Sequence, residues 1–398
     1  MNPVPAPQRP SPALPNYWDG FHVHVNPPEH VAVPSIGIEE EYVLVNRDSR
    51  EVFSGACQVI PEAQERFSSA SVHRDLMQSV VECVTNHRNG LPDAAEQLST
   101  YRATISQLAR KHNADVTATG THPFSKATDQ VNYSDSPHYI RLVDQWPHIM
   151  RTLATFGMHV HIGFNGIQDA NRRIQLMNAV RTYLPMTVAM SANSPFWEGS
   201  DTGYACWRLN VFRQLPRTYI PEPQKDYASF REHVRQLSEF GLIGGEKDLW
   251  WLIRPSVYET IESRIADMPI TAGETMGIAS FLQGVSYHLL KQDELHYLPT
   301  SQIDENVYQA QRYGLTARFV DWQAQKAVTM MDAIQYTVET IRPALKELGT
   351  ERYVDDMMLL LKTEGTGADR QRKIFKNTGD LKAVVDYLIE QGQKPVQR

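Results

Sequence analysis

Strand-like and helix-like segments share this chain without a regular order. Residues 36–45 and 157–164 alternate two sets of side chains, as strands do, whereas residues 92–113 carry apolar side chains at helical spacing behind a first-turn proline. Because strands and helices do not alternate in a βαβ rhythm, we expect an α+β fold with one curved, largely antiparallel sheet backed by helices. The pattern also predicts strands at 79–85, 116–119, 249–253 and 259–265, a helix at 171–190 that Pro185 kinks or divides, and helices at 226–240, 328–348 and 380–391.

The N-terminal segment differs from the rest. Residues 1–34 hold nine of the 24 prolines and little hydrophobic periodicity, which predicts a flexible, proline-rich tail with at most a short strand at 21–25. Regular patterning begins at residue 35. We therefore expect residues 35–398 to form a single domain.

Charge and cysteine content narrow the class of protein. The formal charge is −7 with no basic run, so we expect no nucleic-acid partner. No run of about 18 apolar residues predicts a membrane span, and no secretory signal pattern opens the chain. Three cysteines without a CxxC pair favour a reducing, cytoplasmic setting over a disulfide framework.

The first candidate site is the sequence Gly-Ile-Glu-Glu-Glu at 37–41. On a strand, Glu39 and Glu41 share a face and lie roughly 7 Å apart. Two neighbouring carboxylates resist desolvation unless positive charge compensates them, and oxygen ligands favour magnesium or manganese. A solvated edge strand whose acids discourage aggregation explains the same pattern, so both interpretations stay open.

A second acid lies where a hydrophobic residue is expected. Glu82 shares a strand face with Val80 and Val84, and Asp75 lies just before this segment. A buried glutamate paired with an arginine would explain Glu82 equally well. Glu82 and Asp75 alone therefore do not indicate a functional site; polar residues on other strands are needed as well.

Two further segments present polar side chains on strands. His159 and His161 face the same way, which is a common way to present two imidazoles to one site, although His22 and His24 repeat the pattern in the tail. Glu262 and Arg264 alternate onto one face near Arg254, and an arginine fork there could bind phosphate or carboxylate. A cross-strand salt bridge is the simpler explanation of Glu262 and its neighbouring arginines. Four strands with inward polar residues together indicate one polar pocket floored by a sheet.

These segments, in this order, resemble the carboxylate–amine ligase family of glutamate–cysteine ligase type 2. The resemblance covers roughly residues 35 to 390, while P-loop and nucleophile-elbow motifs are absent from the sequence. The matching stretches are GIEEEYVLV at 37–45, SVVECVTN at 79–86, GTHPF at 120–124, FGMHVHIGF at 156–164, SANSPFWEGSDTGYA at 191–205, DLWWLIRPS at 248–256 and TIESRIADMP at 260–269.

The resemblance implies a fold similar to the catalytic domain of glutamine synthetase, with ATP and metal ions on the concave face of the sheet. Residues 35–398 would be the catalytic domain, acting on ATP and amino acids with Mg²⁺ (Mn²⁺ as a substitute), in a homodimer. Carried over residue by residue, it assigns Mg²⁺ to Glu39, Glu41, Glu82, His161 and Glu262, phosphate or substrate contacts to Arg254, Arg208 and His159, and catalytic roles to Arg264 and Asp75.

Two departures from the family pattern stand out. Gln78 lies where some members carry an acid, so we do not expect it to be a ligand. Residues 206–212 read Cys-Trp-Arg-Leu-Asn-Val-Phe in place of an SSRPNIF-like segment, although Arg208 and Asn210 are retained. The local substrate contacts are therefore expected to differ.

The implied reaction forms an amide, with γ-glutamylcysteine from glutamate and cysteine as one example, through an acyl phosphate made from ATP. Two alternatives belong to other classes. One is a metal-dependent hydrolase that uses His159 and His161 on zinc, and the other is a non-catalytic family member that only binds a small molecule. The carboxylate-rich set of residues favours a hard cation over zinc.

Overall fold

The computed structural model describes residues 21–25, 31–86, 90–133, 137–164 and 170–396, and the statements below concern those residues. The strands are β1 (Phe21–His24), β2 (Ser35–Asn46), β3 (Val72–Arg74), β4 (Val80–Val84), β5 (Ala114–Thr117), β6 (Gly157–Gly163), β7 (Phe196–Trp197), β8 (Ser200–Asp201), β9 (Ile253–Pro255), β10 (Thr260–Asp267), β11 (Glu294–Tyr297), β12 (Arg318–Asp321) and β13 (Lys326–Thr329).

The helices surround these strands and dominate the second half of the chain. They are α1 (Ala56–Arg66), α2 (Gly90–Lys111), α3 (Pro137–Gln145), α4 (Pro147–Thr152), α5 (Ala170–Val180), α6 (Leu184–Ser191), α7 (Arg208–Phe212), α8 (Tyr227–Glu239), α9 (Ala272–Leu290), α10 (Thr300–Tyr313), α11 (Met330–Leu348), α12 (Glu351–Thr363), α13 (Gly367–Thr378) and α14 (Leu381–Gly392).

A seven-stranded sheet forms the centre of the fold. Its order is β3-β4-β2-β6-β10-β9, with β5 paired to the C-terminal end of β2, and every pairing is antiparallel. The long β2 pairs with β6 through its first half and with β4 and β5 further on. The expected antiparallel sheet backed by helices is confirmed.

One face of this sheet is buried under helices. Even-numbered positions of β2 form that face: Ile36, Ile38, Tyr42 and Leu44 are fully buried, and α2 and α9 pack against the strand. Nearly every residue of α9 is buried, because α11 and α12 cover its other side. Alternation along the strand then leaves the odd-numbered positions for the opposite face.

A buried ion pair ties the helices to the sheet. Arg102 on α2 donates to both carboxylate oxygens of Glu40, at 2.6 and 3.0 Å. Tyr42 and Thr275 donate to the same carboxylate, each at 2.5 Å, and Arg102 also donates to the carbonyl of Ile270 at 2.7 Å. Glu40 is fully buried and Arg102 is 4% exposed, so each charge depends on the other.

Most predicted elements agree with the structure. The strands predicted at 36–45, 79–85, 116–119, 157–164 and 259–265 correspond to β2, β4, β5, β6 and β10, and the predicted helices are confirmed within a few residues. The helix predicted at 171–190 divides into α5 and α6 around a 3₁₀ turn, with Pro185 in the first turn of α6. The short strand at 21–25 is also confirmed, as β1, which pairs with β11.

The strand predicted at 249–253 is wrong for most of its length. A 3₁₀ turn at Glu246–Asp248 precedes it, and only Ile253 belongs to β9. Leu249, Trp250 and Leu252 are buried but belong to no strand. A short apolar run shows that its residues are buried but not which backbone conformation they adopt.

Two predictions concern the N-terminal tail and membrane-spanning segments. Most of the predicted tail, residues 1–20 and 26–30, lies outside the described residues. Within the described part of the chain, none of the helices combines the length and the apolarity that a membrane span requires.

Replacing Arg102 tests the buried pair. We expect Arg102→Met to lower the free energy of unfolding by about 3–5 kcal/mol, because it leaves Glu40 buried without its partner. Urea unfolding followed by tryptophan fluorescence measures the change. Arg235→Met, on the exposed face of α8 beside Glu232, is the matched control and should alter the midpoint little. Equal midpoints for the two variants would contradict the prediction.

Candidate functional site

Polar side chains from five strands meet on the face of the sheet opposite Glu40. The register aligns Glu41 with Glu82, Glu39 with His159, and Glu262 with both His161 and Arg254. Directly paired residues point to the same side, so strand pairing itself assembles the cluster. The face carries Glu39 and Glu41 of β2, Glu82 of β4, His159 and His161 of β6, Arg254 of β9, and Glu262 and Arg264 of β10.

Glu39 lies at the centre of this cluster. Its two carboxylate oxygens contact His159 Nδ1 at 2.6 Å and His161 Nε2 at 3.0 Å. Burial opposes ionisation of Glu39, but these two hydrogen bonds outweigh it and lower the pKa of the carboxyl well below its usual value. Thr260 fixes the other edge of the His161 ring, with its Oγ1 2.9 Å from Nδ1.

The two histidines differ in charge preference. Burial lowers the pKa of both rings, but for His161 the hydrogen bond to Glu39 and the charge of Glu262 outweigh it and the pKa rises. For His159, burial together with the nearby Arg264 keeps the pKa below its ordinary value. The pKa values of the two rings thus shift in opposite directions, and a metal ion bound by either ring would displace the proton from the coordinating nitrogen.

Two arginines hold Glu262. Arg254 Nε donates at 2.8 Å and Arg264 Nη1 at 2.5 Å to its carboxylate. Burial would favour the neutral acid, but both guanidinium charges keep the pKa of Glu262 lowered. The register of β10 shifts between Ser263 and Ala266, and Arg264 lies in this irregular stretch. Such a bulge redirects the side chain that it carries.

Three acids on the β4 side of the face lack this compensation. Burial, followed by the charge of Asp75, raises the pKa of Glu41 to about 8. Burial and the surrounding acids raise the pKa of Glu82 well above its usual value, and burial also raises that of Asp75. Glu41 does accept a 2.5 Å hydrogen bond from the backbone N–H of Gly157. These acids therefore hold their protons more tightly than free carboxyl groups, and a divalent cation would displace those protons.

Among the described residues of this sheet face, two groups of side chains could hold a metal ion. Glu39, His161 and Glu262 form one, and Glu39, Glu82 and His159 form the other, with the candidate ligand atoms of each group within 4.8 Å of one another. Glu41, which the sequence analysis assigned to a metal, lies outside both groups, and its nearest ring nitrogen is His159 Nε2 at 3.6 Å.

Arg208 enters the cluster from α7 rather than from the sheet. Its guanidinium lies against Gly157, where a Cβ atom would overlap Nη2, so glycine at this position makes room for the arginine. Its backbone N–H donates to Ser194 Oγ at 3.0 Å, and Ser194 donates to Asp267 at 2.7 Å. The thiol of Cys206 donates to Asp267 as well, at 3.1 Å. Asp267 thus holds Cys206 directly and Arg208 through Ser194, at the start of residues 206–212, which depart from the family pattern.

A cavity of about 190 Å³ borders the cluster on the Asp75 side. Glu41, Asp75, His159, Arg208 and Arg264 line its charged end. Side chains from α3, α4, α7 and nearby loops line the remainder, and they combine polar groups, His138, Tyr139 and Thr155, with apolar ones. The cavity therefore continues the polar face of the sheet into a wall of mixed character.

The structure brings every predicted site residue to this region. Eight lie on the sheet face, and Asp75 and Arg208 line the adjoining cavity. Gln78 instead bonds the backbone of Val131 and Asn132. Thr260, the contact of Gly157 with Arg208 and the cavity wall were not predicted from the sequence. Only Gly157, inside the matched FGMHVHIGF stretch, carried a local signal.

Comparisons with known proteins match most of this chain. The sequence model described as glutamate-cysteine ligase family 2 (GCS2) matches residues 35–387. A Solibacter usitatus protein named "Putative glutamate--cysteine ligase 2" is 36% identical over 362 residues, covering 90% of this chain and 93% of the relative. A Herpetosiphon aurantiacus protein of the same name is 33% identical over 377 residues, covering 93% and 96%.

Solved structures share the fold at low sequence identity. The glutamate–cysteine ligase of Francisella tularensis, solved in complex with AMP, superposes with a TM-score of 0.69 at 12% identity, covering 91% of this chain and 89% of that one. The bifunctional glutathione synthetase of Pasteurella multocida also gives 0.69, at 13% identity, covering 90% and 52%. The expected glutamine synthetase-like fold is confirmed. The match over residues 35–387 and the two relatives together place this chain in glutamate–cysteine ligase family 2.

Proposed function

We propose that this protein is an ATP-dependent carboxylate–amine ligase that forms an amide through an acyl-phosphate intermediate. The observation that carries the proposal is the juxtaposition of two metal-capable groups, which share Glu39, with the arginines that hold Glu262. Family membership and the named activity of the relatives support it. The AMP in the Francisella tularensis neighbour supports the use of a nucleotide.

The residues present suit Mg²⁺ or Mn²⁺. Each candidate group offers two carboxylates and one imidazole, and hard divalent cations prefer oxygen ligands. Glu262 can accept hydrogen bonds from Arg254 and Arg264 and still bind a metal ion, since a carboxylate has about four lone-pair sites. We assign the metal to Glu39, Glu82, His161 and Glu262, with Glu41 as a neighbouring acid. When bound, the ion supplies charge neutralisation for phosphate oxygens.

In the first proposed step, a substrate carboxylate oxygen attacks the γ-phosphorus of ATP. The new O–P bond forms as the bond to the β-phosphate oxygen breaks, and ADP leaves. This chemistry requires alignment and positive charge rather than a protein nucleophile. Arg264 and Arg254, fixed on neighbouring strands by Glu262, would supply that charge to the phosphoryl group in transit.

In the second proposed step, the amine nitrogen attacks the acyl carbon of the acyl phosphate. The C–N bond forms, the bond from carbon to phosphate oxygen breaks, and inorganic phosphate leaves. The amine must lose a proton, and Asp75 is a suitable acceptor because it lines the cavity beside Arg208 and lies outside both metal groups.

The competing hydrolase interpretation has less support. Both histidines bond the same carboxylate, Glu39, and each metal-capable group contains one histidine with two acids. A zinc hydrolase would favour a site richer in nitrogen or sulfur ligands. The geometry therefore favours the ligase.

The proposal also includes the substrates, the cellular compartment and the oligomeric state. Glutamate and cysteine are the substrates named for the relatives, and we propose an amino-acid pair here. The three cysteines are unpaired, which supports action in a reducing cytoplasm. We carry the homodimer over from the family as a proposal that size measurement in solution can test.

The proposed reaction predicts a specific requirement for substrates. ADP release from ATP and Mg²⁺ should need both an amino-acid carboxylate and an amine, and mass spectrometry should detect the amide. A panel of acids crossed with amines, cysteine included, measures this by coupled ADP assay. ADP release that needs no amine, or folded protein that does not bind ATP, would contradict the proposal.

Removing Arg264 tests the charge at the phosphoryl group. We expect Arg264→Ala to lower kcat about 10²–10³-fold, because one preorganised donor to developing charge is lost. Arg235→Ala on the exposed surface of α8 is the control and should retain the wild-type rate. Circular dichroism establishes that both variants fold. A near-normal rate for folded Arg264→Ala would exclude this role.

A carboxylate-to-amide change tests the metal site. Glu262→Gln should weaken Mn²⁺ binding at least about tenfold, since an amide is a poorer ligand than a carboxylate. Electron paramagnetic resonance of free Mn²⁺ measures binding without any turnover. Glu239→Gln, in an exposed ion pair on α8, is the matched control. Identical Mn²⁺ affinity in both variants would remove Glu262 from the metal site.

A further inference from the structure

A second group of histidines lies on the two-stranded sheet that β1 forms with β11. Directly paired residues point to the same side of a sheet, and so do residues two positions apart on one strand. One face of this small sheet therefore carries three imidazoles and one carboxylate: His22 and His24 of β1, with Glu294 and His296 of β11. None of these four residues lines the cavity or belongs to the metal-capable groups of the central sheet.

The backbone pairing brings these side chains as close together as an antiparallel ladder allows. The N–H of Val25 donates to the carbonyl of Asp293 at 2.8 Å, which makes these two residues a hydrogen-bonded pair. Hydrogen-bonded and non-hydrogen-bonded pairs alternate along such a ladder. The two pairs that contain the histidines, one and three positions further along, are therefore non-hydrogen-bonded, and in pairs of this kind the opposing side chains lie closest.

The opposite face of the small sheet packs on the protein. Leu295 is 1% exposed and belongs to the main hydrophobic core, and Val23 packs against that core. The histidine face is left toward solvent, since the side chains of His22, His24 and Glu294 are 58%, 90% and 49% exposed. An ion from solution can therefore reach all of the candidate ligands.

The distances between these groups approach those of a coordination shell. Glu294 Oε1 lies 3.7 Å from His22 Nδ1 and 3.9 Å from His24 Nε2, and the rings of His22 and His296 have centroids 4.6 Å apart. Ligand atoms bound to a tetrahedral Zn²⁺ lie roughly 3.3 Å from one another. The group is less tightly gathered than those on the central sheet, but exposed side chains can change rotamer and close the difference.

The chemistry of the ligands selects the ion. Three imidazoles and one carboxylate suit Zn²⁺ and similar transition metals, whereas Mg²⁺ prefers oxygen ligands. Within the described chain none of the three rings makes a hydrogen bond, so their nitrogen lone pairs are not committed to the protein. Burial, with repulsion from His22, also lowers the pKa of His296. Glu294 and Asp321 supply negative charge beside the His296 ring.

We propose that this group is a transition-metal site, selective for Zn²⁺ over Mg²⁺, in which side chains of both strands bind one ion. Because a single two-stranded sheet is marginally stable in water, an ion bound by both strands would stabilise their pairing. The inference is independent of the proposed ligase function, since these residues take no part in the assigned reaction. The ligands are His22, His24, Glu294 and His296.

Zinc binding to matched variants tests the site. Equilibrium dialysis of the untagged full chain against Zn²⁺ in excess Mg²⁺, followed by metal analysis, measures stoichiometry and affinity. We expect His22→Asn to weaken binding of one Zn²⁺ per chain at least about tenfold, because even the loss of a group outside the ligand shell costs about 10–100-fold. His148→Asn, at an exposed position of α4, is the control and should bind Zn²⁺ as the wild type does.

Two outcomes would overturn the inference. Zn²⁺ held by the central sheet is common to all variants, so equal binding by His22→Asn and His148→Asn would exclude the site. His296→Asn tests the other strand and should weaken Zn²⁺ binding as His22→Asn does. A folded His296→Asn protein with wild-type binding would show that the two strands do not share an ion.

Hydrogen exchange gives a second readout of the location. Zn²⁺ should slow amide exchange in residues 21–25 and 293–297 at least about tenfold in the wild type, because it stabilises their pairing. Mg²⁺ alone should not slow it, and Zn²⁺ should not slow it in His22→Asn. Bound Zn²⁺ that leaves exchange in both segments unchanged would place the ion elsewhere and overturn the assignment.

Discussion

Carboxylates buried side by side on one sheet face repel each other, and the site depends on how that repulsion is offset. Strand pairing forces the proximity, since Glu41 lies opposite Glu82 and Glu39 opposite His159. Compensation is uneven: two arginines hold the pKa of Glu262 low, whereas burial leaves the pKa of Glu41 and Glu82 raised. Without a bound ion, the acids on the β4 side thus favour their protonated forms, and a divalent cation would displace those protons.

The other face of β2 carries a carboxylate whose charge the protein itself compensates. Glu40, between Glu39 and Glu41, is fully paired with Arg102 and accepts from Tyr42 and Thr275. That network fixes β2 against α2 and α9, so alternation holds the neighbouring acids in register on the polar face. A one-residue slip would move Glu39 and Glu41 to the helix-covered face, where Arg102 could compensate one of the two carboxylates. The structural ion pair therefore determines where the functional acids point.

Local pattern was sufficient to predict the strands and the acids that they carry, because alternation is a property of consecutive residues. It predicted a strand over 249–252 wrongly, since burial of Trp250 and Leu252 depends on distant packing partners. The contact of Arg208 with Gly157 joins residues 51 positions apart, and no periodicity records it. The cavity wall was likewise missed, because α3 and α4 reach it only through the tertiary fold.

The arginines of the site occupy two distinct environments. Arg254 and Arg264 are both engaged by Glu262, so their positions are set before any ligand arrives, as stabilisation of a transferring group requires. Arg208 is positioned instead through its backbone, by Ser194 and Asp267, and among the described residues its Nε has no hydrogen-bond acceptor. Its terminal nitrogens donate to the carbonyl of Arg264. The site thus combines two arginines whose guanidinium groups a carboxylate fixes with a third that is positioned through its backbone.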